Sequence, residues 1–557
     1  KELFKIHKID GYIIPKNDEF FDEYVSQIKD NLKFISNFSG SYGFALILKK
    51  ENYLFVDGRY TLQAKIQSGK VFNIVTIPKK NPSNILKNKK ISIGFDPKLH
   101  TELMINRFFK NTKCKLIPLS ENLVNKIWVR KIVNKPSKFY ILKDQISGEN
   151  SNSKIKKLTQ ILSKNKISFQ FISASENVAW LLNLRGADSN YTPIPNSYLI
   201  INNKKKIYLF CDLKKIDKKV KKDLEKNISI VDIKHIEKFI SKIENKNFQV
   251  DNFSCSIFFK NLIKKNNTII EKQDPIYLLK SIKNKIEIKN TIKTHIYDGA
   301  ALTKFLLWLN NNFKSKKITE ISAEKKLLDF RKKNKNFKTL SFPTISASGP
   351  NGAIIHYRAN NESNRMLKSG DIYLIDSGGQ YNFGTTDVTR TISLDNKQKR
   401  IKNIFTRVLK GHIAVSNYKL NKNTNGAKID TVARKPLNEI NLDYAHGTGH
   451  GVGYFLNVHE GPQAISRGNK VKFREGMIVS NEPGYYENGK FGIRIENLIT
   501  VKKIKNFYEF ENLTLAPIDK SLIQKKLLSK NEIKWLNKYH LKVYYNLRKY
   551  MNKSELI

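Results

Sequence analysis

Short apolar runs separated by turn residues fill the N-terminal part of the chain. The runs DGYIIP, YGFALIL, NYLFVDG and FNIVTIP are rich in β-branched and aromatic residues, a pattern typical of buried strands. A similar order returns near residue 147, where a helix with Ile155, Leu158, Ile161 and Leu162 on one stripe precedes ISFQFIS, SYLIIN and KKIYLFCD. The pattern predicts two consecutive α/β units of similar fold, without a strict sequence repeat.

Helical periodicity opens a third unit. The stretch LLKSIKNKIEIKN (278–290) predicts its first helix, and AALTKFLLWLNNNF and ISAEKKLLDFRKK continue the helical pattern. Near the C-terminus, Ser529 and Glu532 form a capping box before apolar residues at helical spacing, which predicts an added amphipathic helix packed on the third unit. The predicted domains are 1–146, 147–282 and 283–557, with the helical extension at about 518–557.

Length and composition favour a cytoplasmic protein of several domains. At 557 residues the chain is too long for one core, and its hydrophobic content of 40% is ordinary for a globular protein. No apolar run reaches the length of about 18 residues that a membrane span needs, and the first residues lack the apolar region of a signal peptide. The three cysteines are far apart and join no histidine cluster, so we expect neither disulfides nor a zinc-thiolate site.

The formal net charge of +52 raises the question of a nucleic-acid or membrane partner. Lysine is spread along the whole chain together with Asn and Ile, rather than concentrated in one arm or one helix face. We therefore expect no specific nucleic-acid partner and no membrane partner, only weak, salt-sensitive attraction to polyanions.

Candidate chemistry lies between residues 347 and 497. In 374-LIDSGGQYNFGTTDVTRT-391, the apolar and β-branched residues at the two ends predict two strands. These strands would bring Asp376 and Asp387 to one side of a sheet. In HGTGH, the histidines His446 and His450 are four residues apart, but the glycines between them predict a loop rather than a helix.

Three further charged residues follow. Glu482 ends the apolar run MIVS before a Pro-Gly turn, and Arg494 and Glu496 are two apart in a strand-like run, so they share a face. Four carboxylates and one imidazole cannot be buried together without compensation, because their charges repel and desolvation adds to the cost. Two divalent cations would compensate them, and oxygen-rich ligands with one imidazole suit Mn²⁺. The predicted chemistry is metal-assisted hydrolysis.

Five sequence segments follow one another in this order: DSGGQY, TTDVTRT, HGTGHGVG, NEPGYY and IRIEN. On these segments the chain resembles the pita-bread metallopeptidases, and more narrowly the three-domain Xaa-Pro aminopeptidases. FVDGRYTLQ, AWLLNLRGAD, DGAALTKFLLWL and SGPNGAIIHY extend the resemblance over nearly the whole chain. The resemblance implies an α/β (α+β) fold class, with two creatinase-type N-terminal α/β domains before a pita-bread catalytic domain. It also implies a homodimer that associates through the third domain.

Site roles follow from this resemblance, residue by residue. Asp387 and Glu496 would bridge two metal ions, Asp376 would complete one, and His450 and Glu482 would complete the other. Glu482 would also handle the proton of the attacking water. The remaining residues with implied catalytic or substrate-site roles are His356, His446, His459 and Arg494, with Arg494 orienting metal-bound carboxylates. The cofactor prediction is Mn²⁺, with Zn²⁺ or Co²⁺ as alternatives.

The implied substrates are peptides with proline at the second position. Because proline nitrogen carries no hydrogen, an enzyme that needs that donor would reject them, whereas a metal site with a shaped pocket would not. Tyr485, Tyr486 and Phe491 are the predicted pocket walls, although aromatic residues are more often core residues.

Several alternative interpretations of these residues and of the function exist. Taken singly, Asp376 is typical of a turn, and a lone His356 or His459 more often has a structural role. Arg494 could form an ion pair with Glu496. Arg59 and Arg185 more often fix domain contacts than bind substrate. The rival functions are a prolidase-like Xaa-Pro dipeptidase and a non-catalytic peptide- or histone-binding member of the fold. Methionine aminopeptidase and creatinase-like enzymes fit the extra domains and the ligand set less well.

Overall fold

The computed structural model describes residues 1–130, 137–224, 228–505 and 507–555. The chain divides into two compact units, formed by residues 1–144 with 149–277 and by residues 145–148 with 278–557. Among the described residues, every helix is too short or too polar to cross a lipid bilayer. The last two residues of the predicted helical extension lie outside the described part of the chain.

The first unit begins with a six-stranded sheet in the order β4-β3-β2-β1-β5-β6. Its strands are β1 (Gly11–Pro15), β2 (Phe44–Leu48), β3 (Asn52–Val56), β4 (Asn73–Thr76), β5 (Ser92–Phe95) and β6 (Lys115–Pro118). Its helices are α1 (Leu3–Ile6), α2 (Asn31–Ser36), α3 (Thr61–Ser68), α4 (Pro82–Leu86), α5 (Glu102–Phe109) and α6 (Leu123–Ile127). Side chains of β1 alternate between two hydrophobic clusters, Tyr12 and Ile14 in one and Ile13 in the other. The sheet is therefore covered on both faces, as expected for βαβ connections.

A second six-stranded sheet follows, in the order β12-β11-β10-β8-β13-β14. The strands of this part are β7 (Tyr140–Ile141), β8 (Phe169–Ile172), β9 (Leu184–Arg185), β10 (Tyr198–Asn202), β11 (Ile207–Cys211), β12 (Ile228–Asp232), β13 (Asn247–Val250) and β14 (Thr268–Glu271). The helices are α7 (Asp144–Ser147), α8 (Ser151–Lys164), α9 (Ser175–Leu181), α10 (Lys218–Asp223), α11 (Ile236–Ile240), α12 (Ile257–Lys264) and α13 (Ile276–Ser281). In both sheets, two antiparallel pairs at the centre are flanked by parallel pairs in the same sequence order. The predicted similarity of the two α/β folds is thus confirmed.

The second unit combines small antiparallel sheets with long helices. Its helices are α14 (Lys285–Asn312), α15 (Glu320–Lys332), α16 (Lys399–Ser416), α17 (Gly426–Asn438) and α18 (Lys530–Leu547). Its strands are β15 (Phe337–Leu340), β16 (Ile345–Ser348), β17 (Ile372–Ser377), β18 (Gly379–Tyr381), β19 (Gly384–Thr385), β20 (Val388–Ser393), β21 (Gly449–Gly451), β22 (Glu460–Ile465), β23 (Ile478–Asn481), β24 (Gly484–Glu487), β25 (Phe491–Arg494), β26 (Asn497–Ile504) and β27 (Phe507–Asn512). The sheets that matter for the site are β16-β17-β20, β22-β21-β23-β26-β27 and the hairpin β24-β25.

Two helix predictions meet different outcomes. The stretch 278–290 is not one helix, because α13 ends at Ser281 and Asn284 caps a new helix through a capping box with Glu287. The C-terminal prediction is confirmed. Ser529 and Glu532 cap α18, and its buried residues Leu536, Tyr539, Val543 and Leu547 join a hydrophobic cluster of the second unit.

An ion pair joins α14 to α15 inside the second unit. Arg331 donates from Nε to Asp298 Oδ1 at 2.8 Å and from Nη2 to Oδ2 at 3.1 Å. The Tyr381 hydroxyl also donates to Asp298 Oδ1, at 2.8 Å. All three side chains are buried, so the pair lies in a medium where an unpaired charge is costly.

Candidate metal centre

The two aspartates lie at the end of a strand pair, as the sequence pattern predicts. Strands β17 and β20 are antiparallel, with Asp376 opposite Thr389. The residues between them form β18 and β19, which leave this sheet and join β15 in a separate sheet of order β15-β18-β19. Asp387 directly precedes β20, and both aspartates are buried.

The HGTGH segment is a loop that leads into the short strand β21, which confirms that it is not a helix. A Cβ on Gly449 would lie 1.9 Å from the carbonyl oxygen of Ser480, so this close strand approach requires glycine. The backbone N–H of His450 donates to the Ser480 hydroxyl at 2.9 Å. The His450 Nδ1–H donates to the Gly451 carbonyl at 2.9 Å, which leaves Nε2 free to accept a metal.

Five predicted ligands converge at this point. His450 Nε2 lies 3.4 Å from Asp387 Oδ2 and 3.5 Å from Glu482 Oε1. One ligand atom each from Asp387, His450 and Glu496 lies within 4.8 Å of the other two. Together with burial, the charges of Asp387 and Glu482 act on the carboxyl group of Asp376 and raise its pKa. Ligand atoms at such distances fit divalent cations.

This cluster contains more buried carboxylates than positively charged side chains that could compensate them. Burial raises the pKa of Asp376 to about 6, despite the opposing charge of Arg494. Burial also raises the pKa of Glu482, and burial followed by the charge of Asp387 raises that of Glu496 well above the ordinary value. Although burial acts against it, the neighbouring carboxylates raise the pKa of His450 to about 9. Among the described residues, the buried Asp376 Oδ1 accepts no hydrogen bond, so this oxygen fits a cation ligand.

Arg494 and Thr389 hold two of the carboxylates. Arg494 Nη2 donates to Asp376 Oδ2 at 2.6 Å, and its Nε donates to the Thr389 hydroxyl at 3.1 Å. That hydroxyl donates in turn to Glu496 Oε2 at 2.8 Å. Arg494 and Glu496 therefore reach one hydroxyl from the same side, which confirms their predicted common face. The ion pair of Arg494 is made with Asp376, not with Glu496.

Sequence reasoning missed Thr389 and Ser480. The Ser480 hydroxyl donates to Glu482 Oε1 at 3.0 Å. Each of these two residues lies two positions from a ligand, Thr389 after Asp387 and Ser480 before Glu482. Side chains two apart in a strand share a face, so the alternation of the strands was the available signal.

Both ring nitrogens of His446 lie within hydrogen-bond distance of a neighbour. Arg494 Nη1 donates to the Tyr486 hydroxyl at 2.5 Å, so the hydroxyl hydrogen of Tyr486 is available to donate to His446 Nε2, 2.9 Å away. The opposite nitrogen, Nδ1, then carries the hydrogen and donates to the Gly447 carbonyl at 2.7 Å. His446 Nδ1 also lies 3.9 Å from Glu482 Oε2, at the margin of the ligand cluster.

His459 contacts the ligand cluster, and His356 follows a residue whose carbonyl is bound by Arg494. The half-buried ring of His459 meets the ring of His450 edge to face, with centroids 4.4 Å apart. His356 is half-buried in a turn, and the carbonyl of the preceding Ile355 accepts from Arg494 Nη2 at 3.4 Å.

The three predicted pocket aromatics lie on two faces of the β24-β25 hairpin. Tyr486 faces Arg494 and His446, as its hydrogen bonds show. Tyr485 and Phe491 are buried in the hydrophobic cluster that contains α16 and α18. Because side chains alternate along a strand, Tyr485 cannot share the face of its neighbour. Of the three aromatics, Tyr486 is the one that faces the ligand cluster.

Comparison with known proteins agrees with this geometry. The model of metallopeptidase family M24 matches residues 290–503, and a model of its C-terminal region matches 506–556. Two creatinase/prolidase N-terminal domain models match 1–127 and 133–287. Xaa-Pro aminopeptidase 1 of Dictyostelium discoideum is 37% identical over 98% of this chain and 91% of its own.

Solved structures give the same picture. An X-prolyl aminopeptidase from Caenorhabditis elegans, described as a cytosolic enzyme with a di-nuclear active site, has a TM-score of 0.93 at 31% identity and covers 98% of this chain and 94% of its own. A prolidase from Pyrococcus horikoshii has a TM-score of 0.54 at 26% identity, over 66% of this chain and 99% of its own. The chain belongs to the Xaa-Pro aminopeptidases of metallopeptidase family M24, which confirms the resemblance and the fold class predicted from the sequence.

Proposed function

We propose that this protein is a metal-dependent aminopeptidase that hydrolyses the N-terminal Xaa-Pro bond of peptides. The observation that carries the proposal is the convergence of buried carboxylates on one imidazole, with ligand atoms of Asp387, His450 and Glu496 within 4.8 Å of one another. A relative that is 37% identical over 98% of the chain supports the same activity.

The ligand assignment is part of this proposal. Asp387 and Glu496 would hold both ions, Asp376 would complete one, and His450 and Glu482 the other. When bound, two divalent cations would supply Lewis acidity, which polarises a peptide carbonyl and makes it easier for the attacking water to lose a proton. We place Mn²⁺ first because the ligands are four carboxylates and one imidazole, with Zn²⁺ and Co²⁺ as alternatives.

The chain's own groups would orient the reactants and move protons. Arg494 fixes the Asp376 carboxylate, and Thr389 fixes that of Glu496. Glu482, whose pKa is raised by burial, is suited to accept a proton from water and to return it to the leaving nitrogen. His459, which packs against His450, and the half-buried His356 would contact the substrate carbonyl and the proline residue.

Specificity for proline would come from shape. An X-Pro nitrogen offers no hydrogen, so the site must recognise the ring instead of a backbone donor. Tyr486 offers its ring beside His446, while Tyr485 and Phe491 support it from the core. The free amine of the first substrate residue would meet the acidic ligand cluster, and this contact would limit cleavage to the N-terminal residue.

Several coarser features belong to the same proposal. The order of the matched family models, at 1–127, 133–287, 290–503 and 506–556, supports three domains and a C-terminal extension, and the bounds 1–146, 147–282, 283–557 and about 518 stay predictions. A homodimer through the third domain rests on the family resemblance. A cytoplasmic location is supported by the cytosolic relative from Caenorhabditis elegans.

The decisive assay compares two substrates. We expect hydrolysis of an Xaa-Pro-Yaa tripeptide that stops after a chelator is added and returns with Mn²⁺. The matched substrate Xaa-Ala-Yaa should be cleaved at least about a hundredfold more slowly, equal to about 2.7 kcal/mol of transition-state discrimination. A clear preference for Xaa-Pro dipeptides over the tripeptide would instead favour the prolidase-like function, and absence of any hydrolysis would favour the binding module.

Replacing His459 by alanine should separate catalysis from metal binding. We expect His459→Ala to keep wild-type metal content but to lose about a hundredfold in kcat, because a positioned acid-base or hydrogen-bonding group contributes at that level. The control is His235→Ala, which removes an exposed histidine of the first unit. Metal analysis and steady-state kinetics are the measurements, and loss of metal in His459→Ala would contradict the assigned role.

A further inference from the structure

The buried guanidinium of Arg390 connects the C-terminal helix to the metal centre. Arg390 lies in β20, three residues after Asp387, and is 1% exposed. Its Nη1 donates to the carbonyl oxygens of Thr389 at 2.8 Å and of Glu496 at 2.7 Å. These are the two residues joined by the hydroxyl-carboxylate hydrogen bond of the metal centre. One side of the guanidinium thus fixes the backbone on which the Glu496 ligand stands.

The other side of the guanidinium is held by the C-terminal region. Nη2 donates to the Tyr539 hydroxyl at 2.9 Å and to the Ala516 carbonyl at 2.8 Å, and Nε donates to the Pro517 carbonyl at 2.9 Å. The Asn497 side chain accepts a further hydrogen bond from Nη2 at 2.9 Å. The five N–H groups of an arginine are therefore all engaged.

Among the described residues, the buried Arg390 cation donates its hydrogen bonds to oxygen atoms of neutral groups. Without a bonded carboxylate, its position depends on the geometry of each acceptor, since an unsatisfied N–H at a buried charge is costly. Tyr539 supplies the acceptor that comes from α18, and its hydroxyl donates onward to the Ala516 carbonyl at 2.8 Å. The ring of Tyr539 stacks on Trp535 with centroids 5.4 Å apart, which fixes the phenol on its helix.

We propose that α18 positions the metal ligand Glu496 through Tyr539 and Arg390. The inference rests on the proposed function, because it assigns Glu496 to the metal site. Tyr539 and Arg390 are positioning residues in this scheme, since their hydrogen bonds are made to protein groups that support Glu496. The helical extension would then be a working part of the catalytic centre.

The test uses the full chain with Tyr539→Phe, which removes the hydroxyl and keeps the stacked ring. The control is Tyr545→Phe, which removes a hydroxyl from an exposed tyrosine of the same helix. Apparent Mn²⁺ affinity is measured by titration of the metal-free proteins, together with kcat, KM and melting temperature. We expect Tyr539→Phe to lose about tenfold in Mn²⁺ affinity and in kcat with little change in KM, while Tyr545→Phe matches wild type.

A second variant tests the other half of the link. Arg390→Lys keeps the charge but cannot reach the Thr389, Glu496 and Tyr539 acceptors together, and we expect it to lose up to about a hundredfold in Mn²⁺ affinity. Wild-type Mn²⁺ affinity in Tyr539→Phe would overturn the proposal, whatever its melting temperature. Failure of the proposed function would appear separately, as absence of Xaa-Pro hydrolysis by the wild-type protein, and would leave the comparison of Mn²⁺ affinities readable.

Discussion

Replacing Asp387 or Glu496 by alanine is expected to reduce kcat/KM by about a thousandfold or more, which corresponds to at least about 4 kcal/mol of transition-state stabilisation. Each carboxylate belongs to the group whose ligand atoms lie within 4.8 Å of one another. Removing one would take away a ligand that we propose both ions share, and loss of the ions would leave the remaining carboxylates without compensating charge. Metal content per chain should fall in parallel with activity.

The matched control for these variants is Glu509→Ala. Glu509 is an exposed carboxylate on β27 of the same unit, so its loss should change neither metal content nor kcat/KM. Undiminished turnover in either Asp387→Ala or Glu496→Ala would refute the ligand assignment. A fall in the Glu509→Ala control would show that the assay responds to surface charge instead.

Replacing Arg331 by alanine should give the largest loss of stability. The change removes the two-point ion pair and leaves the buried Asp298 carboxylate, among the described residues, with the hydrogen bond from the Tyr381 hydroxyl. Breaking a buried pair on one side typically costs about 3–5 kcal/mol. We expect a corresponding decrease in the free energy of unfolding of the second unit, measured by urea denaturation of the metal-free protein.

Two comparisons make this result specific. Lys332→Ala, at the exposed neighbouring position of α15, should unfold within about 0.5 kcal/mol of wild type. The double change Arg331→Met with Asp298→Leu removes both charges, and it should be more stable than Arg331→Ala alone. If Arg331→Ala unfolds at the wild-type urea concentration, the ion pair contributes nothing measurable to the joining of α14 and α15.

Local patterns predicted much of the fold and the local structure around several of the proposed ligands. The runs around Asp376 and Asp387 indicated a strand pair, and the glycines of HGTGH excluded a helix, because both inferences depend on neighbours along the chain. The strand pairing and the short strand β21 confirm them. The capping box at Ser529 likewise identified α18 from four consecutive residues.

Features that depend on tertiary neighbours were out of reach of the sequence. The break between α13 and α14 arises where Asn284 caps the second helix, and Ile282 there pairs with Met477, almost 200 residues away. Likewise, the partner of Arg494 is Asp376 on a distant strand instead of the nearby Glu496. Periodicity along one segment contains no information about such contacts.

Orientation within the β24-β25 hairpin was the other limit. Adjacent tyrosines at 485 and 486 must face opposite sides, but the sequence does not tell which side is the core. The structure turns Tyr485 inward and Tyr486 toward His446. The hydrogen bonds from Tyr539 through Arg390 to Glu496 join three segments that are more than 40 residues apart in the chain, and no local sequence motif predicts them.

The most direct test of the metal-centre account is the metal stoichiometry of the protein at each stage of an Xaa-Pro-Yaa hydrolysis assay. The metal-free protein, prepared with a chelator, should bind two equivalents of Mn²⁺ per chain, and hydrolysis should return as the ions bind. Full hydrolysis by the stripped chain, or binding of Mn²⁺ that is unchanged in Glu496→Ala, would contradict the account.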